Sequence, residues 1–167
     1  IMTATPIPRT LAMTAYADLD ISVIDELPPG RTPVRTVVVP EERRAEVVAR
    51  IVQACRGGHQ VYWVCPLIDE SDELRAQAAE ETAAALAEAL PDVKVGLVHG
   101  RMPASKKDAA MLAFKAGRIQ LLVATTVIEV GVDVPNATLM VIENAEQMGL
   151  AQLHQLRGRV GRGAGAS

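Results

Sequence analysis

The stretch Gln120-Leu-Leu-Val-Ala124, with Thr125-Thr126-Val-Ile-Glu129-Val-Gly131-Val-Asp133-Val-Pro135 directly behind it, decides how this chain folds. After Gln120 the run is apolar at every position. A strand wetted on one face would alternate, so this one reads as a strand buried on both faces. Upstream, Pro103 to Lys115 has the spacing of a helix and Gly117 stops it; downstream, Thr138 to Ile142 is a second nearly continuous apolar strand. Buried strands separated by helical segments of ten or more residues imply a parallel sheet covered on both sides. In such sheets ligands meet the loops beyond the strand C-termini, and the polar, glycine-bearing stretch from Thr125 to Pro135 is one of those loops.

The same alternation extends backwards. Gln60 to Cys65 is a strand, Glu73 to Leu90 an alanine-rich helix ended by Pro91, and Val93 to His99 a strand. Before them, a helix from about Glu41 to Arg56 carries the stripe Val47, Val48, Ile51, Val52 and Cys55, has Glu41 and Glu42 at its positive end, and stops at Gly57-Gly58. The β-branched run Val34 to Val39 is expected to be a buried strand as well. Leu150 to about Gly158 is the last helix. The first residues are less regular: Pro8 opens a short helix from Arg9 to about Tyr16, and Ile21 to Asp25 is a short strand broken by Pro28-Pro29-Gly30. The expected fold class is therefore an α/β sandwich over residues 34–167, preceded by a linker with small elements over residues 1–33.

Composition narrows the function classes. Of 167 residues, 49% are hydrophobic and 22% charged, with no low-complexity tract, which excludes a disordered chain. No apolar run approaches the roughly 20 residues of a membrane span, and no signal sequence opens the chain, so a cytoplasmic protein is expected. Two cysteines ten residues apart and three scattered histidines give neither a disulfide framework nor a metal-ligand cluster. Charge is uneven. Residues 1–40 carry three basic and four acidic side chains, residues 41–92 five and eleven, and residues 93–167 nine and five. The basic block on an acidic chain suits contact with a polyanion through one face.

That block contains Gln155-Leu-Arg157-Gly158-Arg159-Val-Gly161-Arg162-Gly163. Two arginines three apart, each preceded by glycine, place two guanidinium forks beside a backbone slim enough for a phosphate to approach. On the other loaded loop, Thr125 and Thr126 are hydroxyl donors at a strand end, where a helix cap or a turn is the competing role.

These segments resemble the C-terminal motor domain of superfamily 2 helicases, a RecA-like parallel sheet. Gln155-x-x-Gly158-Arg159-x-Gly161-Arg162 is similar to motif VI, and Ala124-Thr-Thr-x-x-x-x-Gly131-x-Asp133-x-Pro135 to motif V. Val61 to Ser71 matches the strand and loop of motif IV, and Val98-His99-Gly100-Arg101-Met102 the strand-end motif next in the family's order. Thr3-Ala4-Thr5-Pro6 is similar to motif III, which in that family ends the first motor domain. Five motifs in the family's order span nearly the whole chain. Tyr16 to Asp20 and Ile24-Asp-Glu-Leu-Pro-Pro-Gly-Arg31 further resemble the RecG family of branch-migrating helicases; the related transcription-repair coupling factor shares Thr3 to Thr10 but usually lacks Asp25 to Arg31.

The resemblance implies ATP hydrolysis in a cleft between two motor domains, driven by positioning and charge stabilisation of the transferring phosphoryl group. It assigns Arg162, and next to it Arg159, to an arginine finger, and Gln155 to sensing the nucleotide. Gly131 and Asp133 would lie near the ribose, while Thr125, Thr126, His99, Gly100 and Arg101 would hold nucleic-acid phosphates without reading sequence. The implied partners are branched DNA (stalled forks and Holliday junctions), the first motor domain and a wedge domain. No G-x-x-x-x-G-K-[ST] loop and no acidic metal-holding box occurs in the 167 residues. ATP and Mg²⁺ are thus expected to be held mainly by the first motor domain, with no metal site here and no ATPase from this chain alone. The first residue, Ile1, fits a chain cut from something longer.

Two competing functions stay open from the residues alone: a binding module that engages nucleic acid or protein through the basic block, and a small-molecule α/β enzyme, which lacks a nucleotide fingerprint or nucleophile constellation. Trp63, Tyr62 and Cys65 are expected to be core residues rather than stacking or reactive groups. His59 and His154 are expected to be ordinary surface or helix positions, and Asp69 to Glu73 a solvated loop and helix start.

Overall fold

The computed structural model describes residues 33–65, 71–125 and 134–161. Their elements run in the order α1 (Arg44–Arg56, entered through a 3-10 turn at Glu41–Arg43), β1 (Gln60–Cys65), α2 (Asp72–Ala89), β2 (Val95–Val98), α3 (Ala104–Lys115), β3 (Leu121–Thr125), β4 (Ala137–Ile142), a 3-10 turn at Ala145–Gln147, and α4 (Leu150–Arg157). The four strands form one parallel sheet in the order β2-β3-β1-β4. The expected α/β sandwich is present, with element bounds within two residues of those expected from the residue pattern. The helix Arg9 to Tyr16 and the strand Ile21 to Asp25 fall outside the described residues.

The central strands β1 and β3 are buried at every position. Their alternate side chains feed two cores. Tyr62, Val64, Leu122 and Ala124 pack with Met111 and Phe114 of α3 and with Leu156 and Val160 at the end of the described chain. Val61, Trp63, Cys65, Leu121 and Val123 pack with Ile51 and Cys55 of α1 and Ala79 and Leu86 of α2. Alanine at 76 and 79 lets α2 lie close to the sheet. Its first turn is fixed by Ser71, whose hydroxyl accepts a hydrogen bond from the Glu73 N–H at 3.2 Å. Tyr62 and Phe114 meet with ring centroids 4.9 Å apart, a tilted pair in the first core. Trp63 and Tyr62 are thus core residues, as the aromatic-poor composition suggested.

One expectation fails. Val34 to Val39 forms no strand: residues 33–40 pair with no ladder, Val37 is 62% exposed and Val38 93%. β-Branched residues favour extended backbone but do not supply a neighbour, and no described strand lies alongside. Val34 is anchored at the start of this segment, packing against the Tyr62 core while its carbonyl accepts a hydrogen bond from Arg157 Nη2 at 3.0 Å. Among the described residues no helix is long and apolar enough to cross a membrane.

Gln60 carries a buried amide side chain at a strand start. Its Nε2 donates to the carbonyls of Phe114 and Ile119, clamping the end of α3 onto β1. Replacing it with leucine removes both bonds and leaves the part-buried Ile119 carbonyl without its Gln60 donor, while Phe114 O keeps the Gly117 N–H at 2.9 Å; Gln60→Leu is therefore expected to cost about 1–3 kcal/mol in urea unfolding, with the midpoint falling and the slope unchanged. Cys65 lies under the second core, and burial first, then the neighbouring Glu143 carboxylate, pushes its thiol up from 9.0 to about 12. The folded state therefore holds this proton more tightly than the unfolded one. Its contribution to stability is complete below pH 9 and is lost as pH climbs towards about 12. Urea midpoints compared with Cys65→Ala across that window should converge, and iodoacetamide at pH 8 should label Cys65 only after unfolding.

Candidate functional site

Parallel pairing puts every strand C-terminus on one edge of the sheet. Cys65 pairs with Thr125 and Val98 with Ala124, and the Glu143 N–H donates to the Val64 carbonyl at 3.0 Å. Four polar or ionisable side chains, Cys65, His99, Thr125 and Glu143, are thereby collected on one edge from segments far apart in sequence. Alternation directs Thr125 to the α1/α2 side, as it does Val123 and Cys65.

His99 and Thr125 are both buried, at 7% and 3% exposure. His99 Nε2 lies 3.2 Å from Glu80 Oε1 of α2, while its Nδ1 and the Thr125 hydroxyl have no hydrogen-bond partner among the described residues. A buried, unpaired hydroxyl or ring nitrogen is costly to leave so, and it marks a place where an outside group can be satisfied. Gly100 and Arg101 are exposed beside it. Arg101 Nη1 is held 2.7 Å from Glu73 Oε1, and Lys107 Nζ donates to the Gly100 carbonyl at 2.6 Å. Of the residues read as phosphate-holding, His99, Gly100, Arg101 and Thr125 are thus grouped, and two of them already carry carboxylate partners. Sequence reading missed those partners: Glu73 and Glu80 stand in an acidic helix that otherwise looks merely solvated.

The second group lies beyond β4. The chain passes Glu143, turns at Asn144 in the left-handed region (φ 45°), and runs through the 3-10 turn into α4. α4 packs on the α3 side through Leu153, Leu156 and Val160, leaving Gln155 exposed and Arg159 half-buried beyond its end. Gly158 continues the helical conformation and Gly161 sits at φ 69°, where a side chain would be strained. A guanidinium on a glycine-flanked helix end is a donor set suited to phosphate. Thr126, Gly131, Asp133, Arg162 and the loop 66–70 lie outside the described residues. Among the described residues no group of three His, Cys, Asp or Glu side chains converges as metal ligands.

The least foreseeable feature joins the start of α1 to the residue just after β4. Arg44, the first residue of α1, pairs through Nη1 with Glu143 Oε1, and its guanidinium carbon lies 4.9 Å from the Trp63 ring centroid. The Cys65 thiol approaches the other carboxylate oxygen at 3.8 Å. Nothing in the local sequence connects positions 99 residues apart; only the sheet register brings them together.

A search of family models matches residues 43–164 to the helicase conserved C-terminal domain. The ATP-dependent DNA helicase RecG of Escherichia coli K12 is 70% identical over 168 aligned residues, covering 100% of this chain and 24% of that protein. The chain thus spans about a quarter of the length of the curated relatives it matches. Among solved structures, RecG bound to a three-way DNA junction superposes with a TM-score of 0.75 at 52% identity, covering 96% of this chain and 21% of that one. The Hef helicase domain of Pyrococcus furiosus shares the fold, with a TM-score of 0.51 at 19% identity over 75% of this chain and 24% of that one. The parallel sheet covered by helices is accordingly the one these relatives share, and the chain belongs to the helicase conserved C-terminal domain family.

Proposed function

We propose that residues 34–167 are the second motor domain of an ATP-dependent double-stranded DNA helicase or translocase that acts in the cytoplasm, remodelling stalled forks and branch-migrating Holliday junctions. Residues 1–33 supply the end of the first motor domain and the linker. The observation that carries this reading is the likeness to RecG along the whole chain, at 70% identity. It favours RecG over the coupling factor and over a module without nucleotide chemistry.

In this reading ATP lies between the two motor domains, and the first holds most of its phosphates and the Mg²⁺. Arg162 reaches the transferring phosphoryl group as the arginine finger, Arg159 supports it, and Gln155 senses the nucleotide; Gly131 and Asp133 approach the ribose. Electrostatic stabilisation of this kind acts on charge that grows in the transition state, so its loss falls on turnover more than on binding. Thr125, Thr126, His99, Gly100 and Arg101 hold DNA phosphates along the strand-end edge. The Thr125 hydroxyl and His99 Nδ1, which have no hydrogen-bond partner among the described residues, support that role, because a bound phosphate would give each a partner. Contacts of this type track the backbone and leave the choice of junction to the wedge domain.

The full-length protein should hydrolyse ATP when branched DNA is added, and the 167-residue chain alone should not. In the full-length protein, Arg162→Ala should lower DNA-stimulated kcat on the order of 10³-fold, while changing stability by no more than about 0.5 kcal/mol. Appreciable turnover by the isolated chain, or an unaffected Arg162→Ala variant, would overturn the assignment.

A further inference from the structure

Glu143 is fixed from three directions. Its N–H donates to the Val64 carbonyl at 3.0 Å, Oε1 accepts from Arg44, and Oε2 faces the Cys65 thiol at 3.8 Å. The Arg44 fork is itself confined, because it lies over the buried Trp63 ring at 4.9 Å to the centroid. The cation–π contact and the pairing together fix where the guanidinium lies, which a flexible ammonium would do less well.

The chain just after Glu143 has little freedom. Asn144 takes the left-handed conformation at φ 45°, the 3-10 turn Ala145–Gln147 closes, Met148 enters the core, and α4 begins at Leu150. The chain that leads into this short helix, and on to Gln155 and Arg159, starts where Glu143 is held, and Leu153, Leu156 and Val160 then seat the helix itself. Arg44 in turn opens α1, directly after the segment that leads in from the linker. The pair therefore ties the first turn of the domain to the root of the arginine turn.

We infer that Arg44 and Glu143 form a positioning latch for the phosphate-facing arginines, and that Trp63 is the flat seat on which Arg44 is aligned. The inference rests on the motor-domain function proposed for this chain. A contact that only adds stability fits poorly: the Arg44 side chain is 46% exposed and that of Glu143 18%, and pairs this open to water contribute little to folding. A small displacement of a reacting group, by contrast, is costly to rate.

The test uses the full-length protein with branched DNA and the variants Arg44→Ala, Arg44→Lys, Glu143→Gln and Arg44→Ala/Glu143→Gln. Arg44→Ala and Glu143→Gln should each lower kcat for ATP roughly tenfold, with KM for ATP and the thermal midpoint nearly unchanged. The double variant should be no slower than the slower single variant, because both remove one latch. Arg44→Lys should fall between wild type and Arg44→Ala, since it keeps the charge and loses the planar guanidinium; it also serves if Arg44→Ala does not fold. Unchanged kcat in the single variants, losses that multiply in the double, or kcat falling only in step with the thermal midpoint would each overturn the latch. A wild-type protein without DNA-stimulated ATPase would overturn the functional reading and the latch together, whereas active, Arg162-dependent wild type with unaffected latch variants overturns the latch alone.

Discussion

The pairing of β1 with β3 governs the rest of the molecule. Both strands are buried along their whole length, so neither face of the sheet can be left to water, and each needs a helical cover. A parallel neighbour also cannot be reached by a tight turn; the chain must cross over, and the crossovers are the covering helices. Once that is so, all strand ends point one way. Side chains that terminate strands are carried to a common edge whatever their separation in sequence, and the chemistry of the domain collects there.

Much of this was legible from residue pattern. Continuous apolar runs at Val61–Val64 and Leu121–Ala124 have only one comfortable environment, and glycine or proline after each helix marks where it stops. Gly58 and Gly117 take φ of 81° and 72°, the left-handed turn their positions suggested. The run Val34 to Val39 shows the limit of such reasoning. It is rich in the β-branched residues that suit strands, yet a strand exists only through a partner, and partners are a property of the whole topology rather than of six residues.

The candidate site was legible in a different way. His99, Arg101, Thr125, Gln155 and Arg159 stand out because glycine and polar donors interrupt an otherwise apolar pattern just where strands or helices end. Their partners do not stand out. Glu73, Glu80, Arg44 and Glu143 are ordinary charged residues on ordinary surfaces until the fold juxtaposes them, and a single sequence holds no record of that juxtaposition. The buried amide of Gln60 is similar: its value lies in two carbonyls more than fifty positions away. Donor types are visible in a sequence, whereas pairings belong to register.

The carboxylates of Glu73 and Glu80 give the strand-end edge a property that its basic residues alone would not have. Glu73 is a captive counter-ion already seated on Arg101, and Glu80 already faces the His99 ring nitrogen. In the function proposed above, an incoming phosphate would exchange with these carboxylates, and what it displaced would be a tethered group that remains nearby and ready to return, not a salt ion lost to bulk solvent. Under that proposal the edge would favour contacts that form and dissolve repeatedly. For the translocation proposed above, reversible grip at each step would be worth more than a tight hold at any one of them.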